Sequence, residues 1–127
     1  MTEKELQKQL ELSINTFKKI TNEKNLIRIL RTINEINVLI PLYKSKPLMP
    51  YVISDANHPY LMPIFTKADY IPEQWKKSEM LNLPFSKAVE FIESNSKHQV
   101  YMVLNIEKHD FILEKKAIEL FHQMNSQ

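Results

Sequence analysis

A chain of 127 residues is long enough to bury one core and too short for two ordinary domains, so it reads as a single domain over 1–127. With 43% hydrophobic and 25% charged residues, the composition argues against both disorder and a membrane span, and a cytoplasmic location is the default. The absence of cysteine excludes disulfides, thiolate metal sites and cysteine nucleophiles; the absence of glycine excludes standard phosphate-cradling loops; and a charge of +2 spread over interleaved lysines and acids gives little reason to expect a nucleic-acid partner.

Thr2 and Glu5 have the spacing of a capping box, and Leu6, Leu10, Ile14 and Phe17 recur with helical period, which predicts a first helix to about Ile20. Thr21, Asn22 and Asn25 offer caps before Leu26, Ile29, Leu30 and Ile33, so a second helix completes a helical hairpin over 1–36. An α+β core is expected over 37–122. It begins with "NVLIPLY", where Pro41 points to an edge or bulged strand, and continues through "PLMP", read as a connection. "YVIS" and "YLMPIF" flank "DANHP", whose Asp and Asn tolerate the turn conformations glycine normally supplies, and together they predict a β-hairpin.

Thr66 is placed to cap a helix with Asp69 at its third position; that helix runs through Trp75 to about Lys77, with Pro72 in its first turn or dividing it. "EMLNLP" predicts a short strand, and Phe85, Val89 and Ile92 a helix behind Pro84. "QVYMVLNI" is the strongest strand pattern, joined through "EKHD" to a hairpin partner "FILE", and a last helix buries Ile118 with Leu120 or Phe121. The fold expected from these elements is α+β, a mainly antiparallel sheet of about five strands with helices on one side and the N-terminal hairpin alongside.

The order of three short motifs resembles the SseB N-terminal domain family, named from the enhanced serine sensitivity protein. Pro63-Ile64-Phe65-Thr66 matches that family's segment before a helix, Leu83-Pro84-Phe85 the start of the next helix, and Val103-Leu104-Asn105 the end of the following strand. The resemblance is best from about Asn37 to Phe121; where the family often has proline and glycine after the asparagine, this chain has Ile106 and Glu107. It implies a small α+β domain, not known as an enzyme, with no catalytic residues to carry over.

Ser54, Asp55 and His58 put a hydroxyl, a carboxylate and an imidazole on one turn, but adjacent residues on a turn rarely converge as a triad does. His109 and Asp110 occupy a second turn, His98 and His122 lie near helix ends, and the four histidines lack metal-ligand spacing. Glu90 and Glu93 share a helical face, which reads as solvated, and Lys76 and Lys77 beside Trp75 read as surface. No catalytic set, metal or cofactor is expected. Tyr51, Tyr60, Met62, Tyr70 and Trp75 form the candidate partner-binding set, because aromatics and Met are enriched at interfaces; filling of the domain's own core around Phe65 is the competing reading. The expected function is a non-enzymatic interaction module for an unidentified protein partner, with homodimerisation open. Two alternatives accompany it, an immunity or chaperone-like protein and an enzyme built on the His/Asp turns.

Overall fold

Local capping starts the chain as its sequence predicts. In the computed structural model, which describes residues 1–45, 47–95 and 100–126 (for Asn95 the backbone only), the Thr2 hydroxyl accepts a hydrogen bond from the Glu5 N–H at 3.2 Å and opens α1, Glu3–Lys19. Leu10 and Ile14 bury the inner face of α1. The Asn22 side chain caps α2, Glu23–Ile33, by accepting from the Asn25 N–H at 2.8 Å, while the Asn25 amide donates to the Ile20 carbonyl at 2.7 Å. Two asparagines thus satisfy the orphan groups at both sides of the turn and fix the hairpin. His98 lies outside the described residues.

The sheet is organised by two prolines. Strand β1, Asn37–Tyr43, pairs along one edge with β4, Glu79–Pro84, and its side chains alternate between two faces. On its other edge Leu39 exchanges both backbone hydrogen bonds with Phe65, at 2.7 and 2.9 Å, just beyond β3, Leu61–Ile64. Continuing that antiparallel register by two residues sets Pro41 opposite Pro63, and neither has an N–H to give. The ladder stops there, and residues 49–53 wedge into the opening. Tyr51 N–H donates to the Pro41 carbonyl at 3.1 Å, β2 (Met49–Pro50) pairs with the end of β1, and Ile53 bridges Leu61 at 2.8 Å in both directions. Beyond β3 the order continues to β5, Tyr101–Leu104, in parallel, and then to β6, Phe111–Leu113, antiparallel.

The architecture is α+β: the N-terminal helix pair, two small, mostly antiparallel three-stranded sheets (β2-β1-β4 and β3-β5-β6), and helices α3, Phe85–Asn95, and α4, Lys115–Asn125. The expected single sheet is therefore split, with the Leu39–Phe65 bridge as its joint. β1 is paired on both edges, contrary to the edge position read from Pro41, because the missing N–H faces the split. The hairpin expected around "DANHP" reduces to the Ile53–Leu61 bridge, since the next position of that register is Pro63, which has no N–H, and the Tyr51 N–H goes to Pro41 instead.

Alternation along β1 separates two cores. Val38 and Ile40 join the main core with the buried faces of the helices, whereas Leu39 faces a second cluster of Phe65, Ile71 and Trp75. That second cluster is the underside of the crossover from β3 to β4. The crossover is not one helix: it makes two 3-10 turns, Ala68–Tyr70 and Glu73–Trp75, divided at Pro72. Thr66 does not cap it, because all three of its polar groups are used elsewhere. Its N–H donates to Asn105 Oδ1 at 2.9 Å, its hydroxyl accepts from Asn105 Nδ2 at 2.9 Å, and its carbonyl accepts from the Gln7 amide of α1.

Asn105 ends β5 fully buried and collects the loop around itself. Its carbonyl accepts from the N–H groups of Lys108, His109 and Asp110, and its N–H donates to the Ile64 carbonyl at 2.9 Å. The turn needs left-handed backbone, with φ of 50° at Asn105, 74° at Glu107 and 49° at Asp110. Asn and Asp tolerate this region, and the Asp110 carboxylate steadies Glu107 by accepting its N–H at 2.8 Å. Asn105→Ala leaves the buried Thr66 N–H and His109 Nδ1 unpartnered. It should lower unfolding stability by about 2–4 kcal/mol in urea denaturation, with Thr66→Ala losing less.

Candidate functional site

Aromatic side chains on the second face of the sheet form a row that climbs from core to surface. Phe65 and Trp75 are 6.0 Å apart between ring centroids, Trp75 and Tyr51 5.7 Å, and Tyr51 and Tyr43 5.5 Å. Phe65 is fully buried, Tyr51 half-buried and Tyr43 exposed. Tyr43 and Met49 are register partners on β1 and β2, so they share a face, and Tyr51 follows two residues on. Around this end the wedge leaves four apolar side chains open: Tyr43 at 40%, Leu48 at 42%, Met49 at 36% and Val52 at 47% of full exposure. Single exposed apolar residues are ordinary, whereas four within ten positions gather at one sheet fork, with Tyr43 and Met49 on the face of the aromatic row.

The five residues expected to bind a partner are divided by the fold. Trp75, 5% exposed, and Met62, 1% exposed, are core residues on opposite faces of the sheet, so neither presents a contact surface. Their burial follows from strand alternation and from the crossover folding its tryptophan down onto Phe65. Tyr51, Tyr60 and Tyr70 are half-buried; Tyr51 lies in the row, Tyr60 precedes β3, and Tyr70 stacks edge-on against His109 at 5.5 Å. The open residues Tyr43, Leu48, Met49 and Val52 were not singled out by sequence. Tyr43 was read as the end of the strand "NVLIPLY", Leu48 and Met49 as part of the connection "PLMP", and Val52 as part of the hairpin strand "YVIS".

The titratable candidates separate. His58 lies before the start of β3 and packs against Tyr101 at the start of β5, while His109 and Asp110 follow the end of β5, and because β3 and β5 are parallel these are opposite ends of the sheet. Asp55, His58, His109 and Asp110 therefore do not converge. His58 is held between two carboxylates, with Nδ1 3.0 Å from Asp55 and Nε2 2.7 Å from Glu114, the residue before α4. These acids lie on opposite edges of the imidazole, so they cannot share one ion with it, and no group of three His, Asp or Glu among the described residues is placed to hold a metal. Glu114 and then Asp55 raise the His58 pKa above its ordinary value, and backbone N–H bonds from the turn lower that of Asp55. Glu90 pairs with Lys87 and Glu93 with His122, so the two acids have separate exposed partners; Lys76 pairs with Glu73.

His109 is the opposite case. The Asn105 amide is oriented by its bonds to Thr66, so Nδ2 is the group 3.0 Å from His109 Nδ1, and a donor there makes Nδ1 the acceptor and places the proton on Nε2. Nε2 is buried without a hydrogen-bond partner, and burial pushes the His109 pKa down. The imidazole is kept neutral, and its place under α1 is held from the backbone by Lys18, which donates to the His109 carbonyl.

Among the described residues no helix is long and apolar enough to cross a membrane. No family model matches the chain, and no curated protein or solved structure matches it.

Two outcomes follow from this geometry. Trp75→Ala should cost about 3–5 kcal/mol of unfolding stability, measured by chemical denaturation, because it empties the second core. A raised folded-state pKa means that His58 binds its proton more tightly folded than unfolded, so its stabilisation is present below the unfolded pKa near 6.5 and is lost as pH rises through the higher folded value. The difference in melting temperature between wild type and His58→Asn should be largest below pH 6.5 and shrink on going alkaline.

Proposed function

We propose that this chain is a non-enzymatic, cytoplasmic protein-interaction module of SseB-like type, which engages a protein partner through the apolar patch at the β1–β2 fork. The observation that carries the reading is the co-exposure of Tyr43, Leu48, Met49 and Val52 at the fork where a row of packed aromatics reaches the surface. A rigid aromatic backing presents apolar surface without first having to order it, which reduces the entropic cost of docking. The SseB-like assignment rests on the order of the three sequence motifs, two of whose residues, Thr66 of "PIFT" and Asn105 of "VLN", meet in this chain in a two-point hydrogen-bonded pair. A narrower form of the same reading is an immunity or chaperone-like protein serving one specific partner.

The test is a Leu48→Ser/Val52→Ser double variant. Both side chains are exposed, so unfolding stability should change by about 0.5 kcal/mol or less per site. A stoichiometric partner captured from source-cell lysate by the wild type should be lost, with affinity falling at least about tenfold. Equal capture by the variant would remove the patch from the interface. Light scattering of the same two proteins identifies a second copy of this chain as the partner if the wild type has twice the monomer mass and the variant does not.

A further inference from the structure

The helical hairpin carries a second surface, independent of the apolar patch. On α1, Gln9, Leu12, Ser13 and Thr16 lie off the buried stripe; on α2, Asn25, Arg28, Arg31 and Thr32 face them across a cleft of about 410 Å³. Arg28 and Arg31 are the only two arginines in the chain, every other Lys/Arg position being lysine. At three residues' separation they are neighbours on the helix surface. Both are exposed, and among the described residues neither guanidinium has a carboxylate partner, although salt bridges occupy Lys67, Lys76 and Lys87 elsewhere.

The lining of the cleft contains no acid. A second cleft on α1, of about 470 Å³, gives the contrast: there Lys4, Lys8 and Lys67 are accompanied by Glu3 and Glu11, so its charge is largely compensated internally. Of these two clefts the arginine one has uncompensated cationic charge, and it has it as guanidinium, whose planar fork matches a carboxylate at two points where an ammonium offers a single charge. Leu12, 57% exposed, adds an apolar contact on the same rim.

From this charge complementarity we infer that the α1–α2 cleft docks an acidic, amphipathic helical segment of a protein partner. Two of its carboxylates, about one turn apart, would pair with Arg28 and Arg31, and an apolar residue between them would cover Leu12. The open space between two helices and the apolar rim favour such a segment over a small free oxoanion.

The test is fluorescence anisotropy with a labelled helical peptide carrying glutamates at i and i+4 around a leucine, compared with the same peptide bearing glutamines. Wild type should bind the glutamate peptide at least about tenfold more tightly, less so as salt is raised. Arg28→Lys/Arg31→Lys, which keeps the charge and removes the fork, should weaken it several-fold, and Arg28→Gln/Arg31→Gln should abolish the preference while circular dichroism shows an unchanged helix content. A Lys115→Gln/Lys116→Gln control should bind as wild type does. Equal affinity for both peptides, undiminished binding by the glutamine variant, or an equal loss in the lysine control would overturn the inference. So would binding of inorganic pyrophosphate at this cleft with no binding of the peptide. Leu48→Ser/Val52→Ser should leave peptide binding unchanged, which separates this site from the apolar patch.

Discussion

Pro41 and Pro63 face each other across what would otherwise be one continuous ladder, and the rest of the sheet is arranged around that fact. An antiparallel pair at this position needs two N–H donors and has none. The strand register therefore ends at Leu39–Phe65, and the chain fills the gap with residues 49–53, borrowing the Pro41 carbonyl through Tyr51 and the Leu61 backbone through Ile53. Because a wedge is narrower and shorter than a strand, it cannot bury all the side chains it carries. Met49 and Val52 of the wedge remain open, beside Tyr43 at the end of β1.

The second consequence is that both faces of the sheet must be covered. Helices bury one face, and the β3–β4 crossover buries the other by turning Ile71 and Trp75 onto Phe65. Two short turns around Pro72 do this better than one helix, since a helix through Pro72 would lose a hydrogen bond and project its residues along one axis. The crossover's origin is fixed by Thr66, whose polar groups are bound by Asn105 and Gln7, so β3, β5 and α1 meet at one residue. In a chain without glycine, the adjoining loop obtains its left-handed backbone from Asn105 and Asp110, and their side chains and carbonyls then organise the same loop.

Electrostatics follows this division. His58 is a bridge between a turn and the start of α4, stabilised in its charged form; His109 is a neutral core group whose protonation burial opposes. Being at opposite ends of two parallel strands, they act on the fold separately and in opposite senses as pH changes. Among the described residues Lys67, Lys76 and Lys87 make short-range pairs with acids, worth little individually. The two arginines of α2 are distinct in chemistry, and among the described residues neither makes a salt bridge.

What the sequence determined by itself was what depends on neighbours in the chain. Thr2 and Asn22 cap their helices, the period of Leu26 to Ile33 buries one face of α2, Pro72 interrupts the crossover, and "VYMVL" and "FIL" form a hairpin, all for reasons contained within a few residues. The α+β class followed from the order of these elements. What only the tertiary structure decided involved partners far apart. Thr66 is taken from its helix by Asn105, 39 residues on, and Pro41 reads as an edge signal until Pro63 is set opposite it. The aromatic set was legible as a composition but not as a surface, because alternation sends Met62 to one core and the crossover sends Trp75 to the other. Long-range register decides which side chains remain open, and no local pattern in "MPYVI" records that this stretch stands in a gap between two strands.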